Sequence, residues 1–236
     1  MGTDNLHLIN RRKKKIREEA KKEIKPYRYL IVCEGEKTEP LYFKVLKTEV
    51  EKRFREIIDL KEINFNDELI VLDGTGKNTE SLVDYTLNIR NKANIPYGDE
   101  NVWCVFDKDS FTDEQFNNAI QKAEYNGIKV AWSNEAIELW FILHFEYLNT
   151  GITRKDYIKK LDVYFKKYNI NNGKYEKNQE KIYEILKRYG NQEFAVKNAE
   201  KLLKNNTETP SKTKPATTVY KLVKELEGYL KDKKSE

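Results

Sequence analysis

Two stretches decide the fold: Tyr29-Leu30-Ile31-Val32-Cys33-Glu34-Gly35-Glu36-Lys37-Thr38-Glu39 and Val102-Trp103-Cys104-Val105-Phe106-Asp107-Lys108-Asp109. Each is a short apolar run rich in β-branched and aromatic residues that stops at acidic side chains. Such runs read as strands buried on both faces, the kind that parallel sheets use. In an open α/β sheet, ligands sit at the carboxyl ends of the strands. Two of these strands side by side would gather Glu34, Asp107 and Asp109 at one rim. Clustered carboxylates repel one another unless a cation neutralises them, and hard oxygen donors suit Mg²⁺ or Mn²⁺. The pattern points to chemistry on phosphates.

Outward from these stretches, strands and helices alternate. Thr38 with Pro40 in the first turn starts a helix that runs to about Ile57, with Leu41, Val45, Leu46 and Val50 on one face. A second strand is expected over Glu68–Leu72 and a second helix over Glu80–Lys92. Val102–Phe106 is the third strand. Thr112 and Gln115 have capping-box spacing, so a third helix starts there and ends near Gly127. Ile128–Trp132 is the fourth strand, and Ser133-Asn134 is expected to cap an apolar helix over Ala136–Tyr147. The order βαβαβαβα predicts an α/β fold with a parallel sheet flanked by helices over residues 27–148. Beyond Asn149 the apolar spacing is helical throughout, around Tyr157–Phe165, Ile182–Leu186, Phe194–Leu203 and Thr217–Leu230, with a loop over Asn205–Ala216. Residues 149–236 therefore read as a helical carboxy-terminal extension, and residues 1–26 as a basic amino-terminal arm.

The charge is unevenly spread. The 236-residue chain carries a net +5, but residues 11–25 hold +6 and residues 151–189 another +6, leaving about −7 for the rest. An acidic centre between basic arms suits a metal site that acts on a polyanion. Plain lysine richness would produce the same count over 151–189. No apolar run approaches the ~20 residues that span a bilayer, and the amino terminus has no apolar signal core, so a cytoplasmic protein without membrane contact is expected. Cys33 and Cys104 both fall inside buried strands, and no CxxC pair points to zinc.

The candidate site residues differ in specificity. Glu34-Gly35 after a strand places a carboxylate beside a residue that allows close backbone approach. Asp107-x-Asp109 places two more, although such a pair also occurs in solvated loops. With them, a divalent ion could hold a phosphodiester oxygen, and Glu34 could complete the coordination or serve as general base. Lys37 could meet phosphate charge or be a surface lysine at a helix start. Glu138 lies in an otherwise apolar stretch, where an unpaired carboxylate is costly, so it needs a metal or basic partner. Glu36 and Asn134 are additional candidates by position. His144 is another, but it lies about 120° round the helix from Glu138 and also fits a core histidine. Gly74-Thr75-Gly76-Lys77-Asn78 fails as a Walker A loop, with Val71 at the first glycine position and Asn78 in place of Ser or Thr, and reads as a tight turn.

Taken together, the residues resemble the RloB-like family. The resemblance is carried by Leu30–Pro40 with Tyr42-Phe43 and by Val105–Asp109. Ser133-Asn134, Glu138, Trp140, His144-Phe145, Asn198-Ala199 and Thr217–Tyr220 add to it. It implies a Toprim-like domain, with Glu34 as its glutamate and Asp107 and Asp109 as its metal-binding aspartates. It also implies an Mg²⁺- or Mn²⁺-dependent nuclease, an effector of abortive infection in anti-phage defence. Nucleic acid would be its substrate and an ATPase encoded nearby its partner; a homo-oligomer is compatible with all of this. Glu135-Ala136-Ile137 departs from the family's usual pattern without touching a presumed ligand. A different class of reading is a nucleic-acid-binding or partner-docking subunit with a vestigial metal site.

Overall fold

A computed structural model describes residues 28–57, 69–94, 96–98, 100–109, 111–204 and 208–230. The basic arm expected over 1–26 lies outside the described residues, as do the expected start of the second strand at Glu68 and the first residues of the 205–216 loop.

Four strands form one all-parallel sheet: β1 (Tyr29–Cys33), β2 (Ile70–Gly74), β3 (Val102–Asp107) and β4 (Lys129–Ser133), in the order β2-β1-β3-β4. The order reverses direction between β1 and β3, so their carboxyl ends flank the crevice where open α/β sheets place ligands. Successive strand residues face opposite sides. Tyr29, Ile31 and Cys33 point into one apolar layer and Leu30 and Val32 into the other. This sheet flanked by helices is consistent with the Toprim-like α/β fold that the resemblance implies.

Eight α-helices occur among the described residues: α1 (Thr38–Ile57), α2 (Thr79–Lys92), α3 (Asp113–Tyr125), α4 (Glu138–Leu143), α5 (Arg154–Lys167), α6 (Ile182–Tyr189), α7 (Gln192–Lys204) and α8 (Val219–Glu227). Helices α2 and α3 cover one face of the sheet through Leu82, Val83, Phe116 and Ile120. Helix α1 covers the other, joined there by all the helices that follow β4. Asn78 caps α2 by accepting from Ser81 N, and the Thr112–Gln115 capping box opens α3 as its spacing predicts. Cys33 and Cys104 are buried free thiols, as their place in the strands predicts.

Three details differ from expectation. The buried stripe of α1 is Tyr42, Phe43, Leu46 and Val50, with Leu41 and Val45 only half-buried. Tyr42 packs against Phe43, Phe141 and Tyr183, and Trp140 Nε1 donates to Tyr42 Oη at 2.9 Å. The apolar helix after β4 is only Glu138–Leu143 rather than Ala136–Tyr147, and Ser133-Asn134 does not cap it. Ser133 Oγ is 3.0 Å from Thr217 Oγ1, and Asn134 Nδ2 donates to the carbonyls of Pro210 and Ser211. The Asp107 carboxylate takes the cap role instead, accepting from Ile137 N at 3.0 Å. Thr217-Thr218, expected inside the last helix, lies against β4: Thr218 N donates to Trp132 O at 2.7 Å, and Thr217 forms an antiparallel bridge with Ser133. This segment covers part of the free sheet edge.

Candidate functional site

The site is assembled by strand ends. Glu34 follows β1 directly, Asp107 is the last residue of β3, and the adjacency of these strands brings the two side chains together. Asp107 N donates to Glu34 Oε2 at 3.2 Å. Asp109 sits in the turn after β3 with a left-handed φ of 36°, where its N–H reaches Glu135 O. Glu34, Glu39, Asp107 and Asp109 line one open cavity of about 520 Å³. Its rim carries Lys37, Lys77 and Lys177, all exposed.

Two residues that the sequence reading left out complete this centre. Glu39, in the first turn of α1, is buried, and its carboxylate lies over Gly35: a Cβ on Gly35 would meet Glu39 Oε2 at 2.0 Å. Glycine at position 35 is what lets that carboxylate into the site. The second is Arg154, the first residue of α5. Its guanidinium lies among the carboxylates, with Nη1 at 2.6 Å from Asp109 Oδ2 and Nη2 at 2.8 Å from Asp107 Oδ2. Its Nε is 3.7 Å from Glu138 Oε2, and both of these atoms are buried without a hydrogen-bond partner. Glu39 stood within the opening motif, where a helix first turn was its only signal. Arg154 had none, because the contact spans 47 residues to Asp107.

Glu138 is 1% exposed, and Tyr175 Oη donates to its Oε1 at 3.3 Å. The basic partner demanded by its burial is thus Arg154. Of the remaining candidates, Glu36 is exposed on the cavity wall, its carboxylate against Gly76. Asn134 is buried and holds the 210–211 segment, away from the cavity lining. His144 is 2% exposed behind α4. Its Nδ1 lies 2.9 Å from Trp140 O and its Nε2 2.8 Å from Gln192 Oε1, while burial pushes its pKa down. It packs as a core histidine and does not line the cavity.

The electrostatics follow from the crowding. Burial pushes the Glu34 carboxyl up to about 7; the Asp107 N–H opposes this, and Glu39 and Asp109 add to it. Burial likewise raises Glu39 and Asp107, with Glu138 close to both. Burial works against the Arg154 charge, yet Asp107, Glu138, Asp109 and Glu39 together hold its guanidinium more firmly protonated.

Among the described residues, no three His, Cys, Asp or Glu side chains converge tightly enough to form a metal cage by themselves. The donor chemistry nevertheless suits a hard cation. Glu34, Asp107 and Asp109 present oxygens to an open, water-accessible cavity, and Mg²⁺ commonly takes one or two carboxylates, with water and phosphate oxygens completing its shell. No helix among the described residues is long and apolar enough to cross a membrane.

A family model described as RloB-like protein matches residues 29–226. No curated protein and no solved structure matches the chain.

Proposed function

The chain belongs to the RloB-like protein family, and from that premise we propose that it is a metal-dependent nuclease that cleaves phosphodiester bonds in nucleic acid. The observation that carries this reading is one cavity in which four carboxylates, Glu34, Glu39, Asp107 and Asp109, meet three exposed lysines, Lys37, Lys77 and Lys177. Acidic floor and basic rim together suit a cation and a polyanion at once.

Glu34, Asp107 and Asp109 would hold Mg²⁺ or Mn²⁺. When bound, the ion would supply Lewis-acid stabilisation of a phosphoryl oxygen. The chain's own groups do the rest. Lys37, Lys77 and Lys177 position the phosphate backbone by charge. Without an ion on it, Glu34 has its pKa near 7 and can exchange a proton with water at neutral pH; a bound cation would keep it ionised, so its base role is the alternative to its ligand role. The Arg154 guanidinium on the cavity wall adds fixed positive charge where negative charge develops. By the family resemblance, the cellular role would be an effector of anti-phage defence, restrained or triggered by an ATPase partner. Phage plating with and without Asp107→Ala tests that role.

One observation favours the second reading, a nucleic-acid-binding or docking subunit with a vestigial metal site. Arg154 already pairs with both Asp107 and Asp109, so a cation of the chain itself offsets part of the carboxylate charge without a divalent ion. The two readings part in one experiment. Purified protein is incubated with DNA and RNA in Mg²⁺, Mn²⁺ or EDTA, beside a D107A/D109A variant. Metal-dependent cleavage that the variant lacks is the expected result. Binding of nucleic acid without cleavage, unchanged in the variant, would favour the docking subunit.

A further inference from the structure

Arg154 is not a loose surface side chain. Its backbone N–H donates to Glu135 Oε1 at 3.1 Å, and it opens a helix capped by Thr153, which accepts from Asp156 N. That helix is anchored in the core by Tyr157, Leu161 and Phe165. Withdrawing the guanidinium fully would require undocking α5 or breaking both short ion pairs. The guanidinium also divides the carboxylates into two sets. Glu34, Glu39, Asp107 and Asp109 line the open cavity, and so does Arg154; Glu138 does not. Glu138 lies behind, with its Oε2 facing Arg154 Nε at 3.7 Å.

In two-metal phosphodiesterase centres, a pair of divalent ions about 3.5–4 Å apart shares the carboxylates and clamps the reacting phosphate from two sides. Here the place between Asp107, Asp109 and Glu138 is filled by a permanent cation that belongs to the chain. A guanidinium keeps its charge at any working pH and presents a planar fork that satisfies several carboxylates together. We propose that Arg154 stands in for the second cation, so that this site takes a single divalent ion on the cavity side, with the arginine serving Glu138 and the inner oxygens of Asp107 and Asp109. This rests on the metal-dependent reading above. The other oxygen of each aspartate, Oδ1, accepts no hydrogen bond among the described residues and remains for the ion.

Counting ions tests this without any activity assay. The full chain, R154A and R154K are dialysed to equilibrium against millimolar Mn²⁺, and bound manganese per chain is measured, with thermal melts in parallel. The expected result is one ion in the wild type and in R154K, and two in R154A. In the same experiment, Mn²⁺ should raise the melting temperature of R154A more than that of the wild type, because a second ion then neutralises Glu138. Two ions in the wild type, or one in a folded R154A, would overturn the proposal while leaving a metal-dependent enzyme standing. No bound manganese in any variant would remove both. Should R154A fail to fold even with Mn²⁺, Arg154→Gln, which keeps hydrogen-bonding capacity without charge, takes its place in the count.

Discussion

At the scale of single residues, Glu34 sets the pH response of the site. Its carboxyl is raised from the ordinary 4.5 to about 7, chiefly by burial. Between those values the folded chain holds a proton that the unfolded chain has released, so this group's contribution makes stability fall as pH rises from about 4.5 to about 7. On the proposed metal-dependent reading, cation binding would run the other way, since the ionised form would be the ligand. Mn²⁺ affinity should therefore climb as pH rises toward about 7 and flatten above it, and Glu34→Gln should make the climb shallower. Dialysis at several pH values checks this; an unchanged climb in the variant would remove Glu34 from the site. Residual pH dependence is expected from Glu39 and Asp107, which burial also raises. Glu34, Asp107 and Asp109 were legible in the motifs, because each follows an apolar run that forms a strand of one sheet. Asn134 and His144 show the limit of such reading. Both are polar groups near the right elements, but their partners are Pro210, Ser211, Trp140 and Gln192, and they support the frame rather than the cavity.

At the scale of elements, α4 links core and site. All six of its residues are buried, and it carries Glu138 on the same short segment as Trp140. Trp140 is fully buried against Tyr42 and His144. Trp140→Ala should lower unfolding free energy by about 3–5 kcal/mol, from lost burial and the cavity left behind. Tyr125→Ala, at a side chain 91% exposed, should stay within about 0.5 kcal/mol. Urea titrations of both variants measure the contrast, and similar values for the two would contradict this account of the core. The capping box of α3 could be read from local sequence because the capping side chain and its N–H lie within three residues. The cap of α4 could not, since it comes from Asp107, 30 residues away.

At the scale of the whole molecule, the helices after β4 are part of the sheet's own core. Val219, Leu222, Val223 and Leu226 of α8 share one apolar layer with Tyr29, Ile31 and Trp103 of the sheet, and Glu225 receives Tyr29 Oη, Trp103 Nε1 and Lys129 Nζ. A chain ending at residue 148 would uncover that face and lose Arg154. It should show no cooperative unfolding transition by circular dichroism; a sharp one would mean that residues 28–148 fold alone. The alternation of strands and helices, the parallel sheet and the meeting of Glu34 with Asp107 follow from local signals in the sequence itself, because period, caps and strand-end acids are written within a few residues of one another. Tertiary structure alone decided that Glu39 tucks over Gly35, that Lys77 and Lys177 share the rim with Lys37, and that Arg154 stands among the carboxylates. Lys77, Lys177 and Arg154 reach the site from segments far apart in the chain, and Glu39, only four residues from Gly35, meets it through the shape of the turn between β1 and α1; the packed structure gives these groups their distances.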